Sequence, residues 1–405
     1  MLDILAGAKH QRLCHEIADS DWMLLLVHRA LAEPRSGRGY LDSFADLHFQ
    51  TPDKSRFFEA LASPRRLRLT REINVQLGSL MSRCLPDPFA GFPALAAFDL
   101  LSGDGHFHGA AVHDDRDQEG KRHATGHVFL LNLRSQAMRH LDLCDALTRK
   151  KEHEIHVLKR HDFDTLRGHA PKGRKVICAY DRAVLDYVYW HHAKMLAALY
   201  FISRPKSNTA FMKCGYRQFD PADPVNLGIV SDEQGAPATS PSMMRRITWI
   251  NPDDGEHYVY LTNEMTLAPG LIVLIFRRRW DVEKVFDEFK NKLNETKSWA
   301  SSVSAKCAQA NALCLAHNLM VLFEHRLSTE QGITNQAEIN RRAKRLIERT
   351  AQASEALREM PVIISSFQRL TVRSVKFVRW LRKFMFLNRP LDLLYDNLRL
   401  LYAEM

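Results

Sequence analysis

The 405-residue chain lacks any apolar run long enough to cross a bilayer. Runs such as "LIVLIF" at Leu271–Phe276 fall far short of the roughly 20 residues a membrane helix needs. The opening "MLDILAGAKHQRLCHEIADSDW" mixes acids and bases without a continuous apolar stretch, so no signal peptide is expected there and the chain reads as cytoplasmic, with no membrane partner. Cysteine is sparse. The seven cysteines, at 14, 84, 144, 178, 214, 307 and 314, are odd in number and none pairs at the spacing of a zinc knuckle or redox motif. Reduced, mostly buried thiols are expected instead of a disulfide framework. Internal repeats and low-complexity tracts are also missing, which removes solenoids and disordered arrays.

What is present is a core and a positive charge. Hydrophobic residues make up 45% of the chain, enough to rule against disorder, and the length suits two to three domains. The formal net charge of +10 favours polyanionic partners without selecting one.

Residues 1–90 read as helical, from apolar residues at helical spacing in "DWMLLLVHRALAE" and "FFEALASPRRLRLTREINVQLGSLMSRCL". The three prolines of "LPDPFAGFP" (Leu85–Pro93) mark a boundary. The period then changes. "ALAAFDLL", "GHFHGAAVHD", "GHVFLLNLRS", "AMRHLDL" and "KVICAYDRA" are short, apolar and partly alternating, as strands are. A helix over "AVLDYVYWHHAKMLAALY" and a strand at "YFISRPK" complete a strand–helix–strand unit. This predicts an α/β fold, a mixed sheet flanked by helices, over residues 91–300. Residues 205–262 read as an inserted β-region, rich in Pro, Ser, Asn and Gly, with a hairpin turning at Asn251–Gly255. A single helix is expected over "LIVLIFRRRWDVEKVFDEFKNKL", and a helical, basic region over 301–405. There, "RSVKFVRWLRKF" is expected to pack Phe377 and Trp380 inward.

Several acids sit where chemistry is possible, each with a plainer explanation. Asp181 ends the apolar run "VICAYD"; a carboxylate at a strand's carboxyl end lies where α/β folds place sites, yet Asp also caps the helix or turn that follows. Asp104 precedes Gly105, and Asp-Gly is a hairpin signal. Asp99 ends a second apolar run. His106, His108, His113, His123 and His127 crowd this region, but no Cys or nearby carboxylate pattern completes a zinc set, so structural zinc is not expected. In the late helix, Phe276, Arg279, Glu283 and Lys290 fall within about 60° of one another at ~100° per residue. Arg279 and Glu283 could be an ordinary i,i+4 ion pair, worth a few tenths of a kcal/mol, or a catalytic acid between phosphate-binding bases.

The spacing "F-x2-R-x3-E-x6-K" over Phe276, Arg279, Glu283 and Lys290 resembles the Tyr–Arg–Glu–Lys signature of bacterial insertion-sequence DDE transposases of the insertion-sequence-four group. "RRRWDVEKVFDEFK" keeps that pattern, with Phe276 in place of the signature tyrosine and hence without its hydroxyl. "VICAYDRAVLDY" looks like the family's second-aspartate strand and "GDGHFHGAAVHD" like its first-aspartate region. The resemblance covers about residues 95–300 and implies an RNase H-like catalytic core, with helical N- and C-terminal regions beside it. It makes Asp104, Asp181 and Glu283 the catalytic acids and metal ligands, with Asp99 as runner-up for the first. Asp104 would bridge two Mg²⁺ ions (Mn²⁺ can substitute), with Asp181 on one and Glu283 on the other, a division suited to in-line phosphoryl transfer.

Arg279 and Lys290 carry over as phosphate contacts, with the Phe276 ring beside them. Arg245 and Arg246 suit a phosphate track or a solvated strand edge. Trp249 suits a flipped base, where stacking contributes ~1–3 kcal/mol, or a hairpin core. The implied partners are double-stranded DNA at the element's terminal inverted repeats, target DNA, and a second copy in a synaptic homodimer. Residues 1–90 are the expected DNA-reading region. The competing readings are an RNase H-like nuclease without strand transfer and a domesticated, inactive DNA-binding copy.

Overall fold

The computed structural model describes residues 3–4, 7–9, 17–33, 36–45, 51–144, 152–168, 170, 173–252, 254–293, 295–352, 375–385 and 391–403. Cys14 lies outside them. Helices α1 (Asp19–Leu31), α2 (Gly37–Ala45), α3 (Lys54–Ala62) and α4 (Pro64–Cys84) come first. Ser63 separates α3 from α4: its side chain accepts from the Arg66 amide and Pro64 opens the first turn, both favoured at a helix start. Strands β1 (Phe98–His108), β2 (Thr125–Asn132) and β3 (Met138–Leu143) follow as an antiparallel meander. Short helices α5 (Glu154–Lys159) and α6 (Phe163–Arg167) lead to β4 (Lys175–Ala179), α7 (Tyr187–Ala197) and β5 (Leu199–Ser203). Then come β6 (Phe211–Tyr216), β7 (Ile229–Pro237), β8 (Met244–Ile250) and β9 (His257–Thr262). The chain closes with α8 (Pro269–Arg278), α9 (Asp281–Lys292), α10 (Val303–Gln331), α11 (Gln336–Gln352), α12 (Val375–Met385) and α13 (Leu391–Ala403).

Among the described residues the strands form one nine-stranded sheet, ordered β3-β2-β1-β4-β5-β9-β8-β7-β6. β1, β4 and β5 run parallel to one another and the remaining neighbours are antiparallel. The first five positions are an RNase H-like sheet, and the inserted β-region extends it edge to edge. β2 is buried along its whole length, which is why it reads as a nearly continuous apolar run. Helix α10 packs on α4, α1 and β3, and side chains from α1–α4, the sheet and α8–α10 share one core. Asn318 fastens this packing: its Oδ1 accepts from the Met138 amide at 2.7 Å, and its Nδ2 donates to Asn74 Oδ1 at 2.7 Å and to the Met138 carbonyl at 2.9 Å. Phe377 and Trp380 are buried.

Three local expectations are corrected. The runs around Asp99 and "GHFH" are one strand, β1, and Asp104–Gly105 lies within it, not in a hairpin turn. The inserted β-region, expected to hold one hairpin, also supplies β6 and β7 from residues 205–237. The single late helix is two, α8 and α9, broken at Arg279–Trp280. The break has a cause: the Arg279 carbonyl accepts from Ser102 Oγ at 2.9 Å, stitching the junction onto β1.

Gly103 shows how tightly β1 is held from its other face. A Cβ there would lie 1.9 Å from Tyr180 Cε1, and the Tyr180 side chain is fully buried. Gly103→Ala is therefore expected to destabilise the fold by about 1–3 kcal/mol or more through overpacking, read as a lower urea midpoint at unchanged slope.

Candidate active site

The register of the parallel ladder sets the first two acids side by side. Ser102 on β1 is paired with Ala179 on β4, the last pair of their parallel ladder, so Asp104, within β1, and Asp181, just past the end of β4, each lie two residues beyond it. Strand alternation fixes Asp104's direction. Ser102 faces the α8–α9 junction, and Asp104 faces the same way. There the Arg279 guanidinium donates to Asp104 Oδ2 at 2.8 Å and to Glu283 Oε1 at 3.4 Å. Asp181 caps the short turn after β4, accepting from the Ala183 amide at 2.7 Å, and its own carbonyl accepts from Ser203 Oγ at 2.8 Å. Both readings of Asp181 are thus compatible: it caps a turn and faces the other acids.

Burial pushes the Asp104 carboxyl up to about 6, against the pull of Arg279 and with the repulsion of Asp181 and Glu283. A fourth carboxylate joins them. Glu154, at the start of α5, is lifted to about 8 by burial first, then by the charges of Asp104 and Asp181. One of its oxygens, Oε2, is buried without a partner. Gly105 makes room for it, since a Cβ on residue 105 would lie 2.3 Å from Glu154 Oε1. Sequence reasoning missed Glu154. The available signal was the Asp-Gly pair, whose glycine clears space for a carboxylate instead of turning a hairpin.

These two shifts predict a pH dependence in metal-free protein. A carboxyl raised in the folded state binds its proton more tightly there than in the unfolded chain. Its stabilisation is present at low pH and is lost as pH rises through the folded value. In EDTA, the melting temperature is expected to fall as pH climbs from about 5 to about 8, with Asp104 acting near 6 and Glu154 near 8. Glu154→Gln should flatten the upper part of that fall, as measured by thermal melts across the range. An unchanged slope in the variant would place the titration elsewhere.

The other expected site residues separate. Asp99 lies at the opposite end of β1 from Asp104, where it accepts from Asn132 Nδ2 at 3.0 Å and the Leu100 amide at 3.1 Å. It is not among the acids that meet Arg279. Lys290 is exposed two turns beyond Glu283, open to a phosphate. Arg246 is part-exposed and donates to Glu233 Oε2 at 2.6 Å. Burial places three more of these residues in the interior, Trp249 in the core position that is one of its two readings. Phe276 packs in the core, its ring centroid 5.0 Å from that of Tyr260; an interior ring needs no hydroxyl, which accounts for phenylalanine here. Trp249 is buried, and its indole donates to the Leu227 carbonyl at 2.9 Å. Arg245 has 1% of its side chain exposed and donates from Nε and Nη2 to Asp232 at 3.1 and 2.5 Å. A solvated edge position would leave it free, but strand β8 is interior to the sheet.

Asp104, Asp181 and Glu283 offer the oxygen donors that Mg²⁺ and Mn²⁺ prefer, with the Arg279 guanidinium lying between Asp104 and Glu283. Burial first, and then the neighbouring acids, raises the Asp104 and Glu154 carboxyls, against the pull of Arg279.

Residues 104–319 match the family described as "Transposase DDE domain", a little over half of the chain. A relative from Sinorhizobium fredii (strain NBRC 101917 / NGR234), named "Putative transposase y4zB", is 25% identical over 146 residues. That alignment spans 35% of this chain and 40% of the relative's length. A solved structure of the piggyBac transposase synaptic complex with hairpin DNA aligns over 98% of this chain and 80% of its own, at 12% identity and a TM-score of 0.37, too low to carry an argument. Among the described residues, no helix is long and apolar enough to cross a membrane.

Proposed function

We propose that this chain, which belongs to the transposase DDE domain family, cuts DNA at the ends of an insertion sequence of the insertion-sequence-four group and joins those ends to target DNA. One observation carries the reading: a single guanidinium, Arg279, joins Asp104 of the central strand to Glu283 of α9, with Asp181 on the neighbouring strand end. Phosphoryl transfer asks little covalent work of a protein beyond positioning and charge, and three carboxylates on rigid elements provide both. Asp104, Asp181 and Glu283 would hold Mg²⁺ or Mn²⁺, which when bound polarises the scissile phosphate and its attacking and leaving oxygens.

The remaining roles belong to the chain. Arg279 keeps Asp104 and Glu283 facing one another and is displaced toward a phosphate oxygen when a cation compensates the acids. Lys290, exposed on the same helix as Glu283, neutralises the DNA backbone beyond the cut. Glu154, uncharged near neutrality, spares the cluster a fourth negative charge. Arg38, Lys54 and Lys297 line a cleft between the N-terminal helices and the segment after α9, which supports residues 1–90 as a region that meets DNA. Two element ends must be cut together, so the working assembly is a homodimer on paired terminal inverted repeats, in the cytoplasm on the nucleoid.

The test uses the DNA that flanks the gene. The purified chain, incubated with labelled duplexes carrying the flanking inverted repeats, a plasmid target and Mg²⁺, is expected to nick at the repeat ends and give joined products. EDTA should stop both. Cleavage without joined products would establish the nuclease reading; binding without cleavage in Mg²⁺ or Mn²⁺ would establish an inactive copy.

A further inference from the structure

The histidines near Asp104 form a second centre. Alternation along β1 puts Asp104, His106 and His108 on one face. Across the sheet, His106 is registered with His127 of β2, and Phe129 with His140 of β3, so imidazoles from three adjacent strands share that face under α9 and α10. Glu295, just after α9, closes over them: its Oε1 is 2.7 Å from His106 Nε2. The His106 ring stacks on Phe286 of α9, centroids 4.4 Å apart.

The donor atoms of this group are under-used. His108 is fully buried, and neither of its ring nitrogens has a partner. Glu295 is 4% exposed, and its Oε2 has no partner. His127 Nε2 is also unpartnered, and its ring lies 4.2 Å from that of His108. Each unsatisfied buried polar group costs about 1–3 kcal/mol, so the unpartnered atoms of His108, Glu295 and His127 favour an occupant between them. The one set of His, Cys, Asp or Glu donors found converging among the described residues is this one: ligand atoms of His106, His108 and Glu295 lie within 4.8 Å of one another.

We propose that His106, His108 and Glu295 bind a transition-metal ion of the zinc class, with His127 bordering the fourth position, as a structural clamp separate from the Mg²⁺ acids. Two imidazole nitrogens and a carboxylate suit Zn²⁺, whereas Mg²⁺ takes oxygen ligands. The ion would replace the His106–Glu295 hydrogen bond and use the lone pairs now idle on His108 and Glu295. Its mechanical effect follows from where the ligands sit. It ties the end of β1, just past Asp104, to the segment just past the helix of Glu283, holding the first acid's strand and the third acid's helix in register. The sequence gives little sign of this, because the carboxylate that completes the pair of histidines is supplied from 187 residues beyond His108.

The test reads metal, not activity. Full-length chain without a histidine tag, purified without chelator, is expected to carry about one zinc per chain, falling at least about tenfold in His108→Gln and Glu295→Gln. Glu283→Gln, which alters only the oxygen-ligand site, should keep its zinc. Cobalt supplied to zinc-stripped wild type should give the visible absorption of a tetrahedral nitrogen–oxygen site, lost on adding Zn²⁺; this arm needs no variant and decides the matter if the variants do not fold. Wild type that takes up neither metal, zinc retained by both ligand variants, or zinc lost in folded Glu283→Gln each overturns the proposal.

Discussion

Asp104→Asn is expected to reduce metal-dependent cleavage of the element ends by about a thousandfold or more. Removing one anionic ligand of a phosphoryl-transfer metal forfeits several kcal/mol of transition-state stabilisation, and each 1.36 kcal/mol is about tenfold in rate. The fold should survive. Asp104 Oδ1 accepts from the Gly105 amide at 2.9 Å, a bond that an asparagine carbonyl also makes. Losing the charge relieves the repulsion that burial imposes beside Asp181 and Glu283. Glu283→Ala should match the loss in rate, because Arg279 holds both acids. Asp99→Asn should leave cleavage within about tenfold, since Asp99 faces Asn132 at the far end of the strand. Gel-resolved single-turnover cleavage, with circular dichroism of each variant, checks the set. Folded Asp104→Asn that still cuts, or folded Asp99→Asn that does not, would exchange the two roles.

Much of this site is legible in the sequence, for identifiable reasons. Asp181 ends an apolar run, and runs of that kind mark central strands whose carboxyl ends form sites. Arg279 and Glu283 are four residues apart, and their contact persists across the α8–α9 break. What escapes is anything that depends on a partner remote in sequence. Glu154 comes near Asp104, from the face of β1 that Gly105 presents, only because α5 folds back across Gly105, and Glu295 meets His106 only because α9 crosses β1. The α8–α9 break is hidden for the same reason. Arg279 and Trp280 have no helix-breaking character; the hydroxyl of Ser102, 177 positions away, captures the carbonyl. Likewise β6 and β7 escape the single-hairpin reading of the inserted region, because glycine and proline interrupt their local signal while their pairing with each other, and that of β7 with β8, decides their state.

Arg245→Met is expected to destabilise the protein by about 3–5 kcal/mol, the cost of removing one partner from a buried ion pair. Arg245 was expected from the sequence beside DNA, and the two placements make opposite predictions. In the structure it donates to Asp232 through Nε and Nη2, and through Nη1 to the Leu267 carbonyl at 2.8 Å with Glu264 Oε2 at 3.5 Å. Asp232 and Glu264 are themselves 2% and 1% exposed, so truncating the guanidinium strands the Asp232 carboxylate in the interior, while Glu264 keeps the Thr266 and Leu267 amides. Arg217, 3.7 Å from Asp232, is too distant to replace two direct hydrogen bonds. Adding Asp232→Asn to Arg245→Met should recover much of the loss, because the worst of it is the uncompensated charge and not the missing side chain. Urea midpoints of the single and double variants measure this. DNA binding by the folded fraction should be unchanged, including its salt dependence. A phosphate contact behaves the other way: Lys290→Ala should leave the midpoint in place and lower the slope of log affinity against log salt by about one. If Arg245→Met instead keeps its midpoint and loses that unit of slope, the arginine leaves its carboxylates to meet DNA, and the inserted sheet is part of the DNA-binding face.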